Sequence, residues 1–143
     1  MDRRTVHVVD DDQDVADSLA LLLNSMGHDP IIWYDPQEFL KEASIGDADM
    51  VLLDIRMPVL SGWDVMRALR ARGAQNDIVY MTGHGSEAYL HQGEVSARAN
   101  ILPKPFSSVE LRAAISAGVG AEISLRVGAK SSTLFGSPVE ITG

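Results

Sequence analysis

Five residues of the chain carry the side chains needed to bind a divalent cation and to handle a phosphoryl group. They are Asp10, Asp11, Asp54, Thr82 and Lys104, and each stands at or just after the end of a short apolar run. Carboxylate oxygens are the ligands that Mg²⁺ prefers, and an ammonium and a hydroxyl suit the oxygens of a phosphoryl group. If the four apolar runs end at one place in the fold, these side chains predict a single acidic site for phosphoryl chemistry.

The apolar runs read as strands of a parallel sheet. Each is followed, after a short loop, by a helix-like segment, and this alternation is typical of an α/β fold. We predict a flavodoxin-like, doubly wound, five-stranded parallel sheet in the order 2-1-3-4-5, with helices on both faces. The predicted strands cover residues 5–9, 28–34, 50–53, 78–81 and 100–103. The ligand crevice of such a sheet lies beyond the carboxyl ends of its strands, where the five residues stand.

Helix signals follow the strands. Asp35 and Ser107 each open a capping-box pattern, with a glutamate three residues further on. Gly27 is placed to end the first helix, whereas a helix beginning near Ser86 is weakly patterned because Gly93 interrupts it. The remaining predicted helices cover residues 15–26, 63–72 and the stretch from the Ser107 cap to about residue 117.

Composition limits the class of protein. The 143 residues carry a net charge of -8, which argues against direct nucleic-acid binding, and they contain no cysteine, which excludes disulfides, thiolate metal sites and cysteine catalysis. No apolar stretch is long enough to span a bilayer, and the start does not resemble a signal peptide. We therefore expect a cytoplasmic protein with no membrane contact.

The sequence pattern changes near residue 120. We predict one domain over residues 1–120, followed by a tail over residues 121–143. Apolar and polar residues alternate in the tail, which indicates a β-hairpin, although a frayed terminus fits equally well. A hairpin there would offer a strand to a sheet edge and so could mediate a homodimer.

The predicted strand order specifies the chemistry further. Strands one and three are neighbours in that order, so the carboxylates of Asp10, Asp11 and Asp54 would lie a few ångströms apart and need a compensating cation. Mg²⁺ fits this oxygen-only ligand set, and the backbone carbonyl of Arg56 could add a ligand. One carboxylate could then attack phosphorus, while the cation, Thr82 and Lys104 stabilise the transition state. The Lys104–Pro105 bond is a candidate cis peptide that would aim the ammonium inward.

Taken together, these elements resemble the receiver domain of bacterial response regulators, over about residues 5–118. The matching motifs are VDDD (residues 9–12), LDIRMP with SG (residues 53–58 and 61–62), MTGHG (residues 81–85) and LPKPF (residues 102–106). The resemblance implies that Asp54 accepts a phosphoryl group from a histidine kinase or a histidine phosphotransfer protein. It also implies that Asp11 binds Mg²⁺ directly and Asp10 through water, while Thr82 and Lys104 report the phosphoryl state. The MTGHG motif is most similar to the receivers of nitrogen-fixation regulators, which precede DNA-binding outputs.

The chain departs from this family where phosphorylation is coupled to output. Ile101 replaces the aromatic residue that many receivers carry three positions before the lysine, and Ser96-Ala97 replaces the usual Ala-Gly. The resemblance also implies that His84 and Arg56 occupy positions that tune how fast the phosphoryl group is lost. We therefore expect an intact phosphorylation site with an altered readout.

Other functions are weighed against this one. A receiver-like interaction module that works without phosphorylation is the main alternative, and the altered residue Ile101 motivates it. A haloacid-dehalogenase phosphatase is rejected because Arg56 stands where a second aspartate is needed, and a flavodoxin is rejected because the aspartates after strand one would repel a bound phosphate. We expect a non-enzymatic switch whose output is either a downstream protein or a missing output domain.

Overall fold

The computed structural model describes residues 3–83 and 100–118, which form five parallel strands and four helices in one sheet-centred fold. The strands join in the order β2-β1-β3-β4-β5, as predicted. Each ends within one residue of its predicted bounds. The strands are Thr5–Val9 (β1), Asp29–Trp33 (β2), Met50–Asp54 (β3), Asp77–Thr82 (β4) and Asn100–Pro103 (β5). The predicted helix near Ser86 and the tail over residues 121–143 lie outside the described residues.

Helices cover both faces of the sheet. They are Gln13–Ser25 (α1), Pro36–Glu42 (α2), Gly62–Ala71 (α3) and Ser108–Gly118 (α4). Alternate residues of β3 divide between two cores, because successive side chains of a strand point to opposite faces. Leu52 packs with α1 and α4 on one face, and Leu53 packs with α2 and α3 on the other. Burial on both faces explains why the sequence of β3 is apolar up to its last residue, Asp54.

Side-chain caps fix where the helices begin. The carboxylate of Asp35 accepts from the amide of Gln37, at 2.9 Å, where a capping box would have used the amide of Glu38. The predicted box at Ser107 is complete: its amide donates to Glu110 and its hydroxyl accepts from the Glu110 amide. The structure adds a box that the sequence analysis did not anticipate, between Ser61 and Asp64 at the start of α3.

The loop between β3 and α3 folds back tightly on the end of β3. The amide of Gly62 donates to the carbonyl of Ile55 at 2.8 Å. A Cβ atom at position 62 would lie 2.7 Å from the Asp54 carbonyl oxygen and 2.9 Å from the Cα of Ile55. Glycine is therefore required there, and the contact fixes the backbone that carries the Asp54 carboxylate.

Within the described ranges, no helix is long and apolar enough to cross a membrane.

We predict that Gly62→Ala destabilises the protein by on the order of 2 kcal/mol, because its methyl group would press on backbone atoms that cannot rotate away. Gly83→Ala is the matched control, since a Cβ there would meet nothing closer than the Lys104 Cδ, at 3.8 Å. Denaturant unfolding of both variants measures the difference. Equal stability of the two would show that the loop does not press on β3 in solution.

Candidate functional site

The structure brings the predicted site residues to one edge of the sheet. Asp10 follows β1, Asp54 and Thr82 end β3 and β4, and Lys104 follows β5. Carboxylate oxygens of Asp10, Asp11 and Asp54 all lie within 4.8 Å of one another. The predicted convergence of these side chains is therefore present in the fold.

Lys104 reaches across the site to both buried carboxylates. Its Nζ donates to Asp10 Oδ2 at 2.9 Å and lies 3.6 Å from Asp54 Oδ2. Its own amide donates to the carbonyl of Thr82 at 2.6 Å, and the Lys104–Pro105 bond is cis, as predicted. The ammonium is thus held between the carboxylates and pairs more closely with Asp10 than with Asp54.

Asp10 is the most tightly held of the three carboxylates. It is fully buried, and its Oδ1 accepts from the amide of Asp12 at 3.0 Å while its Oδ2 accepts from Lys104. Its own amide donates to the carbonyl of Trp33, at 3.0 Å. Asp11 is exposed by contrast, so its carboxylate is open to a ligand from solvent.

The site holds more negative charge than its lysine balances. Burial, and then the charge of Asp10, raise the pKa of Asp54 to about 7 against the opposing effect of Lys104. Partial desolvation and the charge of Asp10 also raise the pKa of Asp11. Burial opposes the charge of Lys104, but its hydrogen bond to Asp10 and the charge of Asp54 prevail and raise its pKa.

This donor set fits a hard divalent cation. Three carboxylates converge, one of them exposed, and two of them hold protons more tightly than an isolated aspartate does. Oxygen ligands with open access to water are the environment that suits Mg²⁺. A cation here would favour the ionised carboxylates, against the burial and the repulsion that raise the pKa values of Asp54 and Asp11.

The remaining predicted residues differ in how directly the structure places them. The amide of Arg56 donates to Asp54 Oδ1 at 3.3 Å, so this residue contacts the Asp54 carboxylate through its N–H. Ile101 is half-buried and pairs with Tyr80 across β4 and β5. Tyr80 in turn packs on Trp63, with ring centroids 4.5 Å apart. His84 lies outside the described residues.

Two supporting groups were missed by sequence reasoning. The hydrogen bond from the Asp10 amide to the Trp33 carbonyl depends on strand register, which cannot be predicted from residue type. The only sequence signal for the close approach of Gly62 to the Asp54 carbonyl is the glycine itself. Both hold the backbone on which a site carboxylate is mounted.

We predict that Asp54→Asn stabilises the metal-free protein at pH 8 by on the order of 2 kcal/mol. The folded-state pKa of Asp54 is raised from 3.8 to about 7, so the ionised form costs stability as the pH rises through that range. The gain should therefore grow between pH 5 and pH 7, level off above it, and shrink when Mg²⁺ is added. Denaturant unfolding at each pH measures it, and a variant no more stable than the wild type at pH 8 would contradict the prediction.

The response regulator receiver domain family matches the chain over residues 6–116. The chain is 40% identical over 111 residues to the tetrathionate response regulatory protein TtrR of Salmonella typhimurium, covering 78% of this chain and 54% of TtrR. It is 36% identical over 115 residues to the transcriptional regulatory protein FixJ of Azorhizobium caulinodans, covering 80% of this chain and 54% of FixJ. The chain thus spans about half the length of these relatives.

Solved structures agree on the fold. The crystal structure of FixJ-N superposes with a TM-score of 0.70 at 28% identity, over 87% of this chain and all of that one. The receiver domain of the sensor histidine kinase PA1611 from Pseudomonas aeruginosa, solved with a magnesium ion coordinated in its active-site cleft, superposes at 0.69. That match has 25% identity and covers 83% of this chain and 99% of that one. With its five-stranded order, its converging carboxylates and these matches, the chain belongs to the receiver domain family of two-component response regulators.

Proposed function

We propose that the chain is a phosphorylation switch in which Asp54 accepts a phosphoryl group in a Mg²⁺-dependent reaction. The donor is a sensor histidine kinase or a histidine phosphotransfer protein in the cytoplasm. The observation that carries the proposal is the convergence of Asp10, Asp11 and Asp54 within 4.8 Å, with the Lys104 ammonium among them. Receiver-domain membership supports a phosphoacceptor role for the chain.

The differing environments of the carboxylates suggest how a cation is held. Asp11 is exposed and would bind the cation directly, together with Asp54 and the backbone carbonyl of Arg56. Both oxygens of Asp10 already accept hydrogen bonds, from Asp12 and from Lys104, so Asp10 would act through a bound water. Magnesium supplies positive charge to the phosphoryl oxygens and to the ionised form of Asp54.

In the proposed phosphoryl transfer, Asp54 is the nucleophile. A carboxylate oxygen of Asp54 attacks phosphorus, the bond from phosphorus to the donor nitrogen breaks, and the donor imidazole keeps the electron pair. Lys104 would then turn from the carboxylates to the new phosphoryl oxygens, since its Nζ is already 3.6 Å from Asp54. The Thr82 hydroxyl would donate to a further oxygen and draw the end of β4 toward the site.

The readout is proposed to pass along β4 and β5. Ile101 lies beside Tyr80 on these strands. Its aliphatic side chain would change how a movement of Thr82 is transmitted to β5. Arg56 and His84 would tune the lifetime of the phosphoryl group.

The output is a downstream protein or a separate output domain, without direct DNA binding by this domain. A tail over residues 121–143 that pairs with another copy would give a homodimer. The domain takes part in its own phosphorylation without acting as an enzyme on other substrates.

Incubation with acetyl phosphate and Mg²⁺ tests the proposal, with intact mass as the readout. We expect one phosphoryl adduct on the wild type and none on Asp54→Asn, because the amide cannot act as the nucleophile. Asp12→Asn is the matched control: Asp12 is an exposed helix cap whose role asparagine fills equally well, so this variant should still be phosphorylated. Chelation of Mg²⁺ should abolish the adduct.

A wild type that gives no adduct would contradict the proposal once rapid hydrolysis is excluded. Beryllofluoride binding to the Mg²⁺-loaded protein provides that control, because the complex does not turn over. Absence of both would favour the phosphorylation-independent interaction module. An adduct that persists on Asp54→Asn would assign the acceptor to another residue.

A further inference from the structure

A histidine is buried in the middle of β1, away from the phosphorylation site. His7 is 1% exposed, and its ring packs against those of Trp33 and Phe39, with centroids at 6.3 Å and 5.7 Å. A polar ring in such surroundings is tolerated only when its nitrogens find partners. Both nitrogens of His7 have one.

The hydrogen bonds of His7 run in one direction. The indole Nε1 of Trp33 donates to His7 Nδ1 at 3.1 Å, and because an indole nitrogen can only donate, Nδ1 must be the acceptor. The ring proton therefore resides on Nε2, which donates to Asp49 Oδ2 at 3.1 Å. The same Asp49 oxygen also accepts from the amide of Gly46, at 2.9 Å. Asp49, just before β3, is thus linked through β1 to the last residue of β2.

The end of β2 is where this chain of bonds meets the phosphorylation site. Strand β2 lies at the edge of the sheet, and none of its five residues is fully buried. Trp33 nevertheless presents its carbonyl to the amide of Asp10 at 3.0 Å. Asp10 in turn orients Lys104 and the Asp12 amide through its two carboxylate oxygens.

We propose that Asp49, His7 and Trp33 form a positioning relay that fixes the end of β2 and, through the Trp33 carbonyl, fixes Asp10. None of the three touches the phosphoryl group or the cation. Their effect on Mg²⁺ binding rests on the proposed function, whereas their effect on the Asp10 backbone does not.

Three variants separate positioning from simple stabilisation. Trp33→Phe leaves His7 Nδ1 without a donor, and His7→Leu leaves the Trp33 N–H without an acceptor, so each single variant should lower the unfolding temperature. The double variant has neither unsatisfied group and should recover much of that loss. A relay predicts that Asp10 nevertheless stays loosened in the double variant, because the tie itself is gone.

Amide hydrogen exchange of the metal-free protein is the first readout. The Asp10 amide should exchange about tenfold faster in all three variants, relative to the amide of Leu52 in the core, as expected for the loss of one buried hydrogen bond. Titration with Mg²⁺ alone is the second readout, and the dissociation constant should rise about three- to tenfold in all three. Tyr34→Phe is the matched control: it removes a surface hydrogen bond to Asp17, one residue from Trp33, and should leave both readouts unchanged.

Recovery of Asp10 protection together with stability in the double variant would overturn the proposal, as would unchanged Asp10 exchange in Trp33→Phe. Should a single variant fail to fold, the double variant alone carries the comparison with the wild type. If the Asp10 amide exchanges faster in the variants but the wild type binds no Mg²⁺, the relay is supported and the metal-dependent part of the proposed function is refuted.

Discussion

Repulsion among closely spaced carboxylates is the constraint on which the carboxyl edge of the sheet depends. Asp10, Asp11 and Asp54 place oxygens within 4.8 Å of one another, and Lys104 is the cation that reaches Asp10 and Asp54. Burial, and then the charge of Asp10, raise the pKa of Asp54 to about 7. Any positive charge that enters such a site lowers its free energy, so the arrangement favours the binding of a divalent cation.

The fold maintains this unfavourable arrangement by anchoring Asp10 and Asp54 through their backbones. Gly62 lets the loop after β3 pack closely against the Asp54 carbonyl, and the Trp33 carbonyl accepts a hydrogen bond from the Asp10 amide. Strand β3 is buried on both faces, so the residue that ends it cannot retreat toward solvent without disturbing both cores. Stability contributed by the cores thus offsets the cost of the acidic site.

Much of this could be predicted from the sequence because it depends on residue type and chain order. Apolar runs gave the five strands, and the carboxyl-edge rule for parallel sheets brought Asp10, Asp54 and Lys104 together correctly. What escaped prediction depends on register and on backbone approach: the closer pairing of Lys104 with Asp10, the Trp33 carbonyl, and the N–H of Arg56 on Asp54. No sequence motif singles out His7, and only the fold reveals its two hydrogen-bond partners.

Site-resolved titration of the Asp54 carboxyl carbon by NMR, with and without Mg²⁺, tests the electrostatic account most directly. The account predicts an apparent pKa near 7 in the metal-free protein, because burial and Asp10 oppose ionisation. It also predicts a fall of at least about one unit when Mg²⁺ binds, since the cation favours the charged form. An Asp54 that titrates near its ordinary value of 3.8, with no response to Mg²⁺, would contradict the account.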